Sequence, residues 1–290
     1  MHSLEMVRGW PVDAAAVGVA TFGGTGAEAA AGEAGTAAAG LVRRSFPWAS
    51  VTKPVTALAV LVAVEEGTVG LGTEAGPPGS TVAHLLAHAS GLGPEGGAPM
   101  AAPGARRIYS NAGFEVLGDL VAERSGIPCA RYVAEAVLEP LAMTGTSFGP
   151  AAGRGPAAGA ASGLEGTLTD LLALAAEWAA PTLVSPETHA RAVGVAFPGL
   201  AGVLPGVGRF DPCDWGLGVE VKGDKRPHWS GEHTSPATFG HFGRSGSFLW
   251  IDPVSGVACA GLTDRPFGPW ALVAWPQLAD AVLAEVRGAR

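Results

Sequence analysis

The sequence predicts an α/β (α+β) protein in which helices flank an antiparallel sheet built from both ends of the chain. Three observations predict it. Strand-like patterns occupy residues 12–24 and 36–48, short helical patterns with Pro/Gly-rich connectors fill residues 72–166, and strand patterns return over residues 215–263 before a last amphipathic helix. Residues 1–71 and 167–290 are therefore expected to form one sheet domain, with residues 72–166 as a helical insertion.

Composition bounds the function. In 290 residues, 48% are hydrophobic and 15% charged, enough for a sizeable core. A formal net charge of -8, with 18 Lys and Arg spread along the chain, argues against a nucleic-acid partner, because phosphate binding needs clustered cations. No apolar run approaches a membrane span of about 18 to 20 residues, so no membrane association is expected. The stretch after Arg8 is short, contains Asp13 and lacks a Leu-rich centre, and it reads as a first strand rather than a secretory leader. Cys129, Cys213 and Cys259 are odd in number and far apart, the pattern of reduced core thiols in a cytoplasmic protein.

Taken in order, residues 12–24 and 36–48 form a hairpin across a Gly/Ala-rich turn at 25–35. A helix begins at Ser50, which is placed to cap it; Pro54 suits its first turn and Gly67 its end. Residues 68–71 are a short extended exit. Helical patterns follow at 81–90, 111–125 and 127–141, and the Gly/Ala/Pro-rich stretch 145–163 reads as an irregular loop. A helix runs from residue 169 or 170, with Asp170 in its first turn, to Trp178. Residues 215–222, 237–242, 247–252 and 256–263 have the content of a meander, with a turn at Asp252-Pro253 and Ser255-Gly256. Residues 270–287 close the chain as a helix with Leu272, Trp275, Leu278, Val282 and Val286 near one face.

Three clusters can carry chemistry. Ser50 and Lys53, three apart, share one helix face, which puts an amine beside a hydroxyl that is a weak nucleophile until a base takes its proton. The helix N-terminus adds N–H groups able to face a carbonyl oxygen. Tyr109-Ser110-Asn111 precedes a helix that Ser110 or Asn111 can cap; a tyrosine can shuttle a proton near a cation, and an Asn can hold an amide or orient a lysine. Gly240-His241-Phe242-Gly243-Arg244-Ser245-Gly246 combines a glycine-flanked strand, open to close approach, with an N–H at Arg244 free for an oxyanion. Each cluster alone also fits a plain structural role: a helix cap, a buried aromatic before a helix, a bulge. His84 and His88 are four apart but lack a third ligand, so no metal is expected. No Rossmann or phosphate-loop glycine pattern is present, so no cofactor is expected. His228 and His233 are placed on a loop overhanging the site, as weak substrate contacts.

The order Ser-x-x-Lys, Tyr-x-Asn and a late Gly-flanked basic tripeptide resembles the serine β-lactamase and penicillin-binding-protein superfamily, and most the class C β-lactamase and family VIII esterase branch. Residues 84–92, Trp215-Gly216-Leu217-Gly218 and Leu249-Trp250-Ile251-Asp252-Pro253 are similar to flanking segments of that family, so the match spans nearly the whole chain. The resemblance implies a β-lactamase/transpeptidase-like fold. It implies Ser50 as nucleophile, Lys53 as base or proton relay, and Tyr109 as the donor to the leaving group. Asn111 would contact substrate or Lys53, His241 and Gly243 would stand in the third motif, and the N–H groups of Ser50 and Arg244 would form the oxyanion hole.

One departure is His241-Phe242-Gly243 where β-lactamases carry Lys-Thr-Gly; a mostly neutral histidine holds a carboxylate less well, although Arg244 offers a charge nearby. The expected function is serine hydrolysis of a small-molecule ester, amide or β-lactam-like substrate through an acyl-enzyme on Ser50. An acyltransferase using the same intermediate, or a catalytically silent binding protein of the same fold, are the rivals.

Overall fold

The computed structural model of the protein describes residues 1–23, 35–150 and 159–288. After a 3-10 turn at Ser3–Gly9 come β1 (Ala15–Thr21) and β2 (Gly35–Gly40), paired antiparallel. The expected strand over 36–48 is broken. Leu41 donates to Ala15 and Arg44 donates back to Leu41, closing a turn, so that Phe46–Pro47 becomes a separate strand, β3. Most of the expected turn at 25–35 lies outside the described residues.

A 3-10 turn at Ala49–Val51 leads into α1 (Thr52–Glu65). The helix ends where expected, at Gly67, whose φ of +76° suits glycine best. Every residue from Thr52 to Leu61 is buried, which explains an apolar run with almost no amphipathic period: α1 is wrapped on all sides.

The middle of the chain supplies α2 (Val82–Leu86), α3 (Asn111–Ser125) and α4 (Cys129–Val133), which continues into a π turn at Ala134–Leu138. The helix expected over 81–90 stops early because His88 adopts a left-handed φ of +54°. The short strands β4 (Ser147–Phe148) and β5 (Leu164–Gly166) pair with each other, and β5 pairs with β3. Then come α5 (Leu168–Ala179), capped by Thr167, and α6 (Pro186–Val193), an unanticipated helix capped by Ser185. A hairpin of β6 (Gly202–Leu204) and β7 (Gly208–Phe210) was also unanticipated.

The remaining strands are β8 (Glu220–Val221), β9 (Phe239–Gly243), β10 (Ser247–Asp252) and β11 (Val257–Thr263), followed by α7 (Ala271–Gly288). The expected strand at 215–222 is confined to β8 because residues 215–220 fold back on themselves, Gly216 donating to Val219 and Trp215 bridging Glu220. The large sheet runs β2-β1-β11-β10-β9-β8, antiparallel at every step, so both chain ends do share one sheet.

Both faces of this sheet are covered, and alternate residues serve different cores. Leu249, Ile251, Ala258, Ala260 and Leu262 join the core with α1 and α5, while Phe248, Trp250, Val257 and Cys259 join Trp275, Leu278 and Val282 of α7 on the opposite face. Leu272, expected on the buried face of α7, is instead 37% exposed. The three cysteines are free and buried, two in the α7-side core and one beside α1. No helix among the described residues is long and apolar enough to cross a membrane.

Candidate active site

The site forms where the start of α1 meets the start of α3 and the end of β9. Ser50 does not cap α1, contrary to expectation: it sits inside the 3-10 turn, and the residue at the cap position, Val51, makes no side-chain cap. Its hydroxyl is therefore left for Lys53, whose Nζ lies 3.4 Å away. Lys53 is wholly buried and also donates to Asn111 Oδ1 at 2.8 Å and to the Ala161 carbonyl at 2.9 Å. As an ammonium it has three protons for these three acceptors. As a free amine it keeps two, which Asn111 and Ala161 accept, and the lone pair is left facing Ser50. Burial lowers the Lys53 pKa to about 7, against the opposing charges of Glu115 and Glu95, so both forms are populated near neutrality.

The start of α3 is fixed from several sides. Ser110 is the cap, accepting from Gly113 N–H at 3.0 Å and donating to the Gly93 carbonyl at 2.8 Å. The buried Arg107 guanidinium donates to the carbonyls of Ala87, Ala196, Phe197 and Cys213, pinning the preceding segment. Tyr109 and Asn111 thereby flank Lys53, whose Nζ stands 4.8 Å from the Tyr109 ring centre. Burial raises the Tyr109 pKa well above its ordinary value; the hydrogen bond with Ser50 opposes this, and the phenol stays protonated. Asn111 Nδ2 donates to Glu95 Oε1 at 2.9 Å.

His84 and His88 have structural partners. His84 Nδ1 lies 2.8 Å from Thr81 Oγ1, and its ring stacks on Phe197 at 4.2 Å. His88 Nδ1 accepts from Ser110 N–H at 3.1 Å, which puts the proton of the neutral ring on Nε2; the ring centre lies 4.5 Å from that of Tyr109 and 4.6 Å from that of Trp215.

From β9, His241 faces Tyr109 and Trp215, with ring centres 5.9 and 5.5 Å apart. Its Nδ1 is 2.7 Å from the Phe242 carbonyl and must carry the proton, leaving a buried Nε2 with no partner. Burial, then the nearby Lys53, lowers its pKa to about 3, so the ring is neutral at pH 7. Phe242 is half-buried among Phe267, Trp229 and Trp275. Gly243 is required sterically: a Cβ there would stand 2.4 Å from both the Trp48 carbonyl and Ser247 Oγ, so only glycine lets β9 approach the turn that carries Ser50. Arg244 follows, exposed, in the turn closed by Gly246 N–H to the Gly243 carbonyl.

These groups line a cavity of about 420 Å³ that includes Ser50, Tyr109, Asn111, His241, Phe242 and Arg244, together with Glu95, Ser162, Trp215 and Glu220. Of the expected residues, Gly243 acts from behind as backbone. His228 and His233 do not overhang the cavity: His228 is buried, 3.0 Å from Glu220, and His233 lies 3.4 Å from Asp280 on α7. Glu95, Glu115 and Glu220 were missed. Glu115 had a signal, lying four residues after Asn111 on one face of α3; it accepts from Ala161 N–H at 3.1 Å and so holds the carbonyl that Lys53 uses. Glu220 is clamped by Lys225, His228 and Trp229 Nε1 and has its pKa lowered to about 2; burial pushes it upward, but the neighbouring charges and bonds prevail. Glu95 stands in a Pro/Gly-rich connector that carries no motif.

This fold, with a Ser-Lys pair at the seam of sheet and helices and a Tyr-x-Asn helix start across it, is that of the β-lactamase/transpeptidase class. The Beta-lactamase family model matches residues 8–283, and the chain belongs to that family. A crystal structure of a β-lactamase from Mycobacterium bovis is 51% identical, with a TM-score of 0.90 over 98% of this chain and 99% of that one. EstCE1, described as a hydrolase with promiscuous acyltransferase activity, shares the fold at 18% identity and TM-score 0.75, covering 97% and 99% of the two chains. An Escherichia coli (strain K12) protein named as a candidate D-alanyl-D-alanine carboxypeptidase is 29% identical over 213 residues, 60% of this chain. The chain spans about half the length of such curated relatives, 48% in that case.

Proposed function

We propose that the protein is a serine hydrolase that cleaves a small ester or amide through an acyl-enzyme on Ser50. The carrying observation is the buried Lys53, whose Nζ lies 3.4 Å from Ser50 Oγ and is held there by Asn111 Oδ1 and the Ala161 carbonyl. In acylation the free amine takes the Ser50 proton as Oγ attacks the carbonyl. Tyr109, hydrogen-bonded to Ser50, gives its own proton to the leaving oxygen or nitrogen and is reprotonated from Lys53. Tyr109, with its pKa held high, serves as relay and Lys53 as base. The N–H groups of Ser50 and Arg244 are assigned to the oxyanion; support comes from Gly243, whose missing side chain brings the two segments together. Water then attacks the ester along the reverse proton path. The helical insertion, residues 72–166, supplies Tyr109 and Asn111 in this reading, and the three buried thiols favour a reducing, cytoplasmic setting.

The pH profile tests the base. Lys53 must be unprotonated, so kcat/KM for a neutral aryl ester is expected to fall tenfold per pH unit below about 7. A profile flat from pH 8 down to pH 5 would remove Lys53 from that role.

Neutral His241 predicts poor use of penicillins and cephalosporins, whose carboxylate finds no fixed cation from β9 there. A charge-assisted hydrogen bond contributes roughly 1.5 to 3 kcal/mol, about one to two powers of ten. His241→Lys, with Phe242 kept because it packs on Phe267 and Trp229, is expected to raise the kcat/KM ratio of a chromogenic cephalosporin to an uncharged ester by that factor. An unchanged ratio would show that another group governs carboxylate binding.

A further inference from the structure

Of the polar groups in the cavity that the mechanism above leaves unused, three are acceptors. His241 Nε2 is buried and partnerless, and in its tautomer it can only accept. Glu220 lines the same wall as a carboxylate. Glu95 stands at its exposed rim; its Oε1 takes the Asn111 amide, while Oε2 has no hydrogen bond among the described residues. Among the described residues, the one Lys or Arg lining the cavity is Arg244, exposed as Glu95 is. Such a wall offers a hydrogen-bond donor two acceptors, His241 Nε2 inside and Glu95 Oε2 at the rim.

We propose that the cavity selects acyl donors bearing an ammonium group beside the scissile carbonyl, with Glu95 as the carboxylate that binds it. The inference rests on Ser50 being the acylated nucleophile. Glu95 is joined to that nucleophile through two side chains, Asn111 and Lys53, in a continuous hydrogen-bonded path. Ser50, Asn111 and Glu95 line the same cavity, and in this proposal the group on the carbon next to the carbonyl points to the Asn111 side, toward Glu95, when the carbonyl stands at Ser50. Glu220 does not compete for it, since its two oxygens are engaged by Lys225, His228 and Trp229.

Binding there also acts on the base. The charged groups acting on Lys53 are Glu115 of α3 and Glu95, both of which favour its protonated form; the flanking rings of Tyr109, His88 and His241 are neutral. An ammonium paired with Glu95 cancels one of these two charges, so the substrate itself releases the free amine that starts the reaction.

The test compares both enantiomers of alanine methyl ester with their N-acetyl counterparts, which share carbonyl and leaving group but lack the charge. For one enantiomer at least, wild-type kcat/KM is expected to favour the free amine by tenfold or more, and Glu95→Gln to bring that ratio toward one, with Glu95→Asp retaining part of it. On a neutral aryl ester, Glu95→Gln is expected to move the acid limb of the profile to lower pH, an effect that a purely structural role for Glu95 would not produce. Equal rates for the two ester series, or a ratio and acid limb that Glu95→Gln leaves in place, would overturn the inference while acylation of Ser50 by a neutral aryl ester stood. If no ester acylates Ser50, the inference falls together with the function it rests on.

Discussion

Ser50→Ala is expected to reduce turnover of short-chain aryl esters on the order of 10⁴-fold or more, because among the described residues no other side chain lining the cavity is both nucleophilic and paired with a lysine amine. Ser162 also lines the cavity, and Ser245 and Ser110 lie close by in sequence to Arg244 and Asn111. Ser110 is committed as the α3 cap and Ser245 donates to Ser247. The substitution removes one oxygen from a residue that caps nothing, so the fold should persist, which circular dichroism checks directly. Steady-state rates that fall less than tenfold would mean that a different group is acylated.

Lys53→Ala and Tyr109→Phe are each expected to slow acylation by about 10² to 10⁴-fold, the usual contribution of a positioned acid or base. Made together, they should be hardly worse than the poorer single variant. The two groups lie 4.8 Å apart, Nζ to ring centre, and both engage Ser50, so in the proposed mechanism they move one proton and act as a unit. Pre-steady-state acylation rates decide this; strict multiplication of the two losses would show that they act independently. Lys53→Ala also frees Asn111 Oδ1 and the Ala161 carbonyl, so its thermal stability should be measured beside its rate.

The parts of the fold that were legible in the sequence are those with local causes. α3 was read to its exact ends because Ser110 caps it and a glycine follows it, and β10 was bounded by Ser247 and Asp252, whose carboxylate accepts from Val254 at the turn. What failed depended on distant contacts. The break at residues 41–45 is set by Ala15, the arrest of α2 by the backbone at His88, and the fold-back at 215–220 by pairing within a loop. α6 had a readable Ser-Pro start, but polar residues interrupt it and it buries only Ala192, so no apolar run announced it.

The site divides in the same way. Ser50 and Lys53 are three residues apart where a 3-10 turn runs into α1, and Tyr109 and Asn111 stand at the start of another helix, so their types and spacing were visible. Ser50 as a cap was misread because a 3-10 turn ahead of α1 looks like a helix start in sequence. Glu95 and Glu220 reach the cavity only through tertiary folding, and the packing of Phe242 against Trp275 of α7 could not be anticipated from the His-Phe-Gly triplet alone.

The central claim is a covalent bond to Ser50. Incubating the protein with a generic serine-reactive phosphonate and measuring intact mass, followed by peptide mapping, tests it most directly. One adduct per chain on the peptide containing Ser50, formed slowly below pH 7 and absent from Ser50→Ala, is the expected result. An adduct on Ser110, Ser162 or Ser245, or none under conditions in which the protein hydrolyses an ester, would contradict it.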